Sequence, residues 1–449
     1  MGAIVAIPAL WALVESLKSG PERAFLAVYL PVLLLLPDYY RWVLPGLPDP
    51  TFNQAAILPV AALALVRYGG RWRWSATDFL VGAFALAIAY SEFLNIGYAD
   101  AQNLMFDMAA SVVLPYACGK LLIEPFGLRA AFAKRTVWLL FGLSAIGVYE
   151  FRFGRTPFRL LFDPFFRGQG LGWVTTFRWG LARVAGPYGH AILAGAILVI
   201  GYRLQRWLEW TGNWPRGKGR LITLGLVAGI LMTLVRGPWI GGVVGAVLTG
   251  IGLMRNRKAA AGAVLAAVLL VGVPAAAALY SWASVGRKNA KSVAQETAAY
   301  RKELIDKYVG IAMEKAAFGY GRNTWPRVPG MPSIDNYYLL LALMHGLVAL
   351  GLLVAILLWM MARLFRHGMS VPVDALPRGG SFAFTMLGIF GSIAVTIATV
   401  YMGTTLVPLF ALLTGWAEGF LVAGGDARRE TFALPLATAA RFRFARVVQ

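Results

Sequence analysis

From Ala259 to Trp282 the chain carries no charged side chain, and long apolar stretches of this kind recur along its whole length. In hydrocarbon every backbone N–H and C=O must be bonded within its own segment, so such stretches have to be helices. The candidate spans are 24–43, 54–66, 77–94, 105–123, 136–150 and 189–207, then 221–235, 237–254, 259–282, 336–361, 381–401 and 406–424. The expectation is an all-α fold: a polytopic transmembrane helix bundle of about 12 spans, with residues 1–449 forming a single integral membrane domain. Composition agrees. Hydrophobic residues make up 59% of the chain and charged ones 14%, too few to solvate the surface of a soluble protein of this size. Residues 2–17 are apolar but short for a span, and read as an interfacial or partly inserted helix. They lack the basic leader of a cleavable signal and contain Glu15.

A net charge of +21 suggests nucleic acid in a soluble chain, but in a membrane chain anionic headgroups account for most of it, so no nucleic-acid partner is expected. Cys118 is the single cysteine, and His190, His345 and His367 are scattered. No disulfide framework, metal site or cofactor is expected from them.

The short basic loops set the orientation. Arg67, Arg71, Arg73, Arg129, Lys134, Arg135, Arg216, Lys218, Arg220, Arg255, Arg257, Lys258, Arg363 and Arg366 all fall on one side. So does the tail with Arg428, Arg429, Arg441, Arg443 and Arg446, which makes that side cytoplasmic and puts both termini inside. Two long loops then lie outside, 151–188 and 283–335, and both are basic. The first interleaves Arg152, Arg155, Arg159, Arg167, Arg178 and Arg183 with aromatic residues, as a segment lying in the outer headgroup layer would. Plain interfacial anchoring explains the same pattern. A positive outer funnel also suits an anionic ligand such as a diphosphate. Neither internal repeats nor matched mid-membrane charges are evident, which argues against a pump.

Within this frame a few residues stand out. Arg236 separates two apolar runs with almost no linker, in a tight outward hairpin completed by Gly237, Pro238 and Trp239. Its guanidinium can fork onto a phosphate there, or simply snorkel to headgroups. Tyr300, Leu304, Tyr308 and Ile311 mark the apolar stripe of a helix over 300–315, with Arg301 at its edge. Gly319 and Gly321 make a close-approach turn before Arg322. Asp335 and Asn336 then open the next span, where Asp335 is a helix cap or a general base.

The Arg236-Gly-Pro-Trp239 hairpin, Arg301 ahead of Ala-Ala-Phe-Gly-Tyr-Gly at 316–321, and the Asn336, Leu339, Gly346 pattern together resemble bacterial O-antigen ligases and Wzy-type polysaccharide polymerases. Arg183-Val-Ala-Gly-Pro-Tyr-Gly-His190 resembles a stretch just upstream in that family, so the ligase/polymerase-like core runs over 183–353. The resemblance implies a GT-C-like membrane glycosyltransferase of the bacterial inner membrane with its active site facing the periplasm. It would move a glycan from an undecaprenyl-diphosphate-linked oligosaccharide to an acceptor glycan, without a metal. Membrane lipid and a chain-length regulator would be further partners. Arg236 and Arg301 would bind the diphosphate and stabilise the leaving group, with Arg322, Arg183, Trp239, Asn336 and His190 completing the substrate-binding set. Family members carry histidine where this chain has Asp335, so either Asp335 takes the proton directly as the base or that role lies elsewhere. His345 lies too far down the helix to replace it and is expected to make a buried polar contact. The missing histidine tilts the reading toward polymerase; a ligase acting on lipid A core is the alternative, and a lipid-linked glycan flippase or exporter a third.

Overall fold

The computed structural model describes residues 2–169, 175–331, 333–373, 376 and 380–427. The tail arginines Arg428 to Arg446 lie outside them. Helix takes 76% of the described residues, and among them the only sheet is a pair of two-residue strands, so the architecture is an all-α bundle.

In chain order the bundle begins with α1 (Gly2–Ser19), α2 (21–35), α3 (Phe52–Tyr68), α4 (Ala76–Ile96), α5 (Tyr98–Ile123), α6 (Arg129–Phe153) and the short α7 (Pro157–Phe162). The hairpin β1 (Phe177–Arg178) and β2 (Leu181–Ala182) precedes α8 (Ala191–Trp210), α9 (Arg216–Met232), α10 (Arg236–Leu253) and α11 (Arg257–Ala283). Then come α12 (Val293–Glu314), α13 (Tyr337–Ser370), α14 (Phe382–Ile397) and α15 (Gly403–Val422).

Eight of these are long and apolar enough to cross a membrane: α1, α4, α5, α6, α8, α11, α13 and α15. Helices α3, α9, α10 and α14 form where further spans were expected, but they are shorter or glycine-rich. Residues 2–17 belong to a helix of 18 residues, long and apolar enough to cross a membrane by length and composition. One expectation needs correction. The span expected over 24–43 stops at Leu35, because Pro37 disfavours helical backbone at Leu36, whose ψ is 140°. Residues 36–51 then run without helix to Thr51. There the Thr51 side chain accepts from Gln54 N at 3.3 Å, and Gln54 Oε1 accepts from Thr51 N at 3.0 Å. This capping box starts α3.

Helices α8 and α15 form the interior, with 89% and 83% of their apolar windows buried. α10 packs on α14 through small residues: a Cβ on Gly245 would sit 2.5 Å from the Gly388 carbonyl oxygen. Backbones can approach that closely only when side chains are absent, which replaces hydrophobic driving force inside lipid. The buried pairs Lys120–Asp78 and Arg363–Glu418 join helices at one end of the bundle, in keeping with charges confined to helix ends. α11 differs from the rest: none of its apolar window is buried.

α13 is two helices in one, broken at Gly346 (φ 77°, ψ 179°). The turn segment 316–321 packs into this break. Tyr320 N donates to Leu343 O at 2.9 Å, Gly321 N to Met344 O at 2.8 Å, and Leu347 N to Ala316 O at 2.6 Å. The free backbone groups of the broken helix are therefore bonded by the inserted segment, as irregular backbone within a bundle requires. Two sequence patterns read separately, the paired glycines and the Asn336–Gly346 spacing, meet at this one crossing.

Candidate functional site: an arginine cleft at one face

At the face where α6 ends and α8, α10 and α13 begin, loops gather cations from distant parts of the chain. Strands β1 and β2 pair Phe177 with Ala182 and Arg178 with Leu181, joined by Trp179 and Gly180. Both loop residues have positive φ, 54° and 75°, the geometry that matches a two-residue hairpin turn to strand twist. The hairpin directs Arg178 to the α9–α10 turn, where its Nη1 donates to Leu234 O at 2.6 Å. Leu234 itself has φ 52°, a left-handed value costly for a branched side chain, and that turn presents its carbonyl to Arg178.

Arg236 follows as the first residue of α10, exposed. Arg301 is exposed on α12, whose Leu304 and Tyr308 pack against Leu339 and Leu343 of α13, as the apolar stripe predicted. Burial, then the charges of Arg236 and Arg301, lower the pKa of Arg178. The three guanidiniums thus share one electrostatic neighbourhood. Arg183 joins it: burial and the Arg178 charge lower its pKa, and its Nε is buried with no hydrogen-bond partner among the described residues.

The strand-to-helix connection carrying Arg183 and His190 is held by Glu150 at the end of α6. Its carboxylate accepts from Ala185 N at 3.2 Å and Gly186 N at 2.9 Å. His190 caps α8, Nδ1 accepting from Ile192 N at 3.1 Å. An accepting Nδ1 carries no proton, so the neutral ring presents Nε2–H as a donor. Burial first, then Arg183, lower the His190 pKa, and Asp335 opposes them. Asp335 is half-buried, and among the described residues its carboxylate has no hydrogen bond or ion pair. The cap of α13 is Asn336, whose Oδ1 accepts from Leu339 N at 3.2 Å; the capping reading of Asp335 is thereby corrected.

Of the residues singled out in the sequence, Arg183, His190, Arg236, Arg301 and Asp335 converge. Arg322 sits elsewhere: its backbone N donates to Glu92 at 2.8 Å, and its guanidinium lies 3.7 Å from Glu92 and 3.5 Å from Asp107. Asp107 is also paired with Arg41 at 3.1 Å. The Trp239 indole donates to Ile230 O at 3.1 Å and so staples the α9–α10 turn. His345 makes its expected buried contact, to Ser91 at 3.2 Å. Two residues were missed as site members. Arg178 was one arginine among several in its loop, although the Trp-Gly pair beside it signals a hairpin. Glu150 was visible only as a carboxylate closing an apolar run.

Among the described residues the cleft gathers four guanidiniums, while its two carboxylates are Asp335 and Glu150, the latter already taken up by backbone donors. Such mutual repulsion is relieved by an anion carrying more than one negative charge, and the forked donors of arginine match phosphate oxygens.

Fold and site together define a polytopic, all-α membrane protein with a cationic cleft built from helix starts and loops at one face. Residues 221–353 match the family model Wzy_C, described as O-antigen ligase. The match supports the O-antigen ligase and Wzy-type superfamily for this chain, and it covers Arg236, Trp239, Arg301, Arg322, Asp335 and Asn336. Arg178, Arg183 and His190 lie upstream of it. No curated protein matches the chain.

Proposed function

We propose that this protein is a glycosyltransferase of bacterial surface or secreted polysaccharide assembly. It takes a glycan from an undecaprenyl-diphosphate-linked donor and joins it to an acceptor sugar hydroxyl in the periplasm, with inversion at the anomeric carbon. The observation that carries the reading is the Arg178–Leu234 bond at 2.6 Å, which ties the arginine-bearing hairpin to the turn that starts α10 with Arg236, in a field to which Arg301 also contributes. Diphosphate is the leaving group, and arginines poised where its charge grows lower the barrier. Arg183 and the His190 Nε2–H add donors. Asp335, without a hydrogen bond or ion pair among the described residues, takes the proton of the attacking hydroxyl. The bare flank of α11, which runs to the Arg301-bearing segment, lets a polyprenyl tail lie in lipid while its head reaches the cleft.

Purified protein reconstituted with lipid-linked repeat units tests this. Chain growth without lipid A core supports a polymerase. Transfer only to core supports a ligase, the reading favoured by the family description of residues 221–353. Flipping of the carrier with no new glycosidic bond would sink both. Arg236→Ala and Arg301→Ala should each abolish transfer while protein remains in the membrane.

A further inference from the structure

A second built feature lies at the far end of the bundle. On α6, Glu150 holds the cleft loops, and Lys134 sits 16 residues earlier, about 24 Å away at the helical rise and thus at the other membrane face. There α1, α2 and α6 enclose an open groove of about 710 Å³. Its rim carries Arg23, Lys134 and Arg135 against the single carboxylate of Glu15. Its floor, one turn deeper along α6, is Trp138 and Leu139, with Leu26 from α2.

Of the rim cations, Lys134 lies 5.7 Å over the Trp214 ring. Among the described residues Arg23 and Lys134 make no ion pair, and Arg135 reaches only the Ala27 carbonyl, at 3.4 Å. Lys218, at the start of α9, adds a further cation, 4.7 Å over the Trp138 ring. Trp214 closes that side, edge-on to Trp138 with centroids 6.0 Å apart, and its indole Nε1 is buried without a hydrogen-bond partner among the described residues.

We propose that this groove binds one anionic phospholipid of the leaflet facing away from the arginine cleft. The phosphate sits among Arg23, Lys134, Arg135 and Lys218, and an acyl chain runs over Leu26, Trp138 and Leu139. Basic rim and apolar floor follow each other along the membrane normal, as headgroup and tail do, and paired tryptophans mark the interface between them. A free phosphate would use only the rim.

Native mass spectrometry of the full chain released from vesicles of phosphatidylglycerol and phosphatidylcholine tests the assignment. The wild type should retain a phosphatidylglycerol in preference to phosphatidylcholine. Lys134→Ala combined with Arg135→Ala should weaken that retention roughly tenfold or more, the scale expected for two basic side chains at a lipid phosphate. Lys134→Arg should keep it, and Lys258→Ala, a cation of the same face outside the groove, should leave it unchanged. Equal retention by the double variant, or no preference in the wild type, overturns the proposal. Thermal stabilisation by inorganic phosphate equal to that by phosphatidylglycerol would make this an ion site instead. Stabilisation by polyglutamate but not by lipid would give the groove to an acidic protein segment.

Discussion

Arg178 Nη1 donates to the carbonyl of Leu234 at 2.6 Å, tying the hairpin of one loop to the turn that starts α10 with Arg236. Arg178 thereby contributes both its own charge and a strut for a neighbouring guanidinium. Arg178→Ala should cut transfer by about 100-fold, the scale on which single donors to a developing anion act. Arg178→Lys keeps the charge but not the fork, and should recover only part of the rate. Steady-state kinetics in vesicles decide it: near-normal turnover in Arg178→Ala would remove this residue from the cleft.

Much of this arrangement could be read from the chain, because lipid leaves the backbone few options. Most apolar runs became helices where expected, the run over 24–43 ending early at Leu35, and the Leu304–Tyr308 stripe turned toward α13. What stayed hidden was non-local. Arg322 looked free beside Arg301, yet its partner Glu92 is 230 residues away, and no spacing rule reports that. Gly346 sits in an apolar run and reads as uninterrupted helix; its φ of 77° exists because segment 316–321 inserts there. Asp335 and Asn336 are both good caps, and only the bond from Leu339 N distinguishes them.

The crossing at Gly346 makes a sharp contrast between two glycines of one helix. A Cβ at Gly346 would lie 2.2 Å from Ala317 O, on backbone already at positive φ, whereas one at Gly351 meets nothing within 4 Å. Gly346→Ala should therefore leave little folded protein in the membrane. Gly351→Ala should be tolerated or slightly stabilising, by at most about 1 kcal/mol. Fluorescence-detected size exclusion and thermal melts of the two variants measure this, and equal behaviour would refute the packing of segment 316–321 into the break.

Glu150 holds the Arg183–His190 connection through two backbone donors. Glu150→Ala leaves both N–H groups buried and unbonded, at about 1–3 kcal/mol each, and should lower the melting temperature along with transfer. Glu150→Gln retains one acceptor oxygen and should fall between. A Glu150→Ala protein with a normal melting temperature would show that the loop is held by other contacts.

Asp335 and Asn336 are adjacent but should respond differently. Asn336→Ala loses the cap of α13, at about 1 kcal/mol, and should mainly reduce stability. Asp335→Asn is nearly isosteric and costs no hydrogen bond among the described residues, so its stability should hold while transfer collapses. Measuring donor binding separately from turnover completes the test: intact binding with lost turnover marks a base, whereas lost binding with residual turnover marks a ligand contact.

His190 offers a pH test with a worked sign. Burial and Arg183 lower its pKa below the ordinary histidine value of 6.5, so folding favours the neutral ring. Its contribution to stability is therefore complete above 6.5 and is lost as pH falls from there through the lowered folded value. His190→Asn can still cap α8, so it isolates the titration from the cap, and its melting temperature should decline less on acidification. The neighbours should act in opposite directions. Arg183→Gln removes a charge that lowers the His190 pKa, so the acid loss should shrink. Asp335→Asn removes the charge that raises it, and the loss should grow. Melting curves from pH 8 to about 5 for the four proteins read both signs. If Arg183→Gln and Asp335→Asn shift the acid limb the same way, the three side chains do not share one field, and the cleft as described does not form.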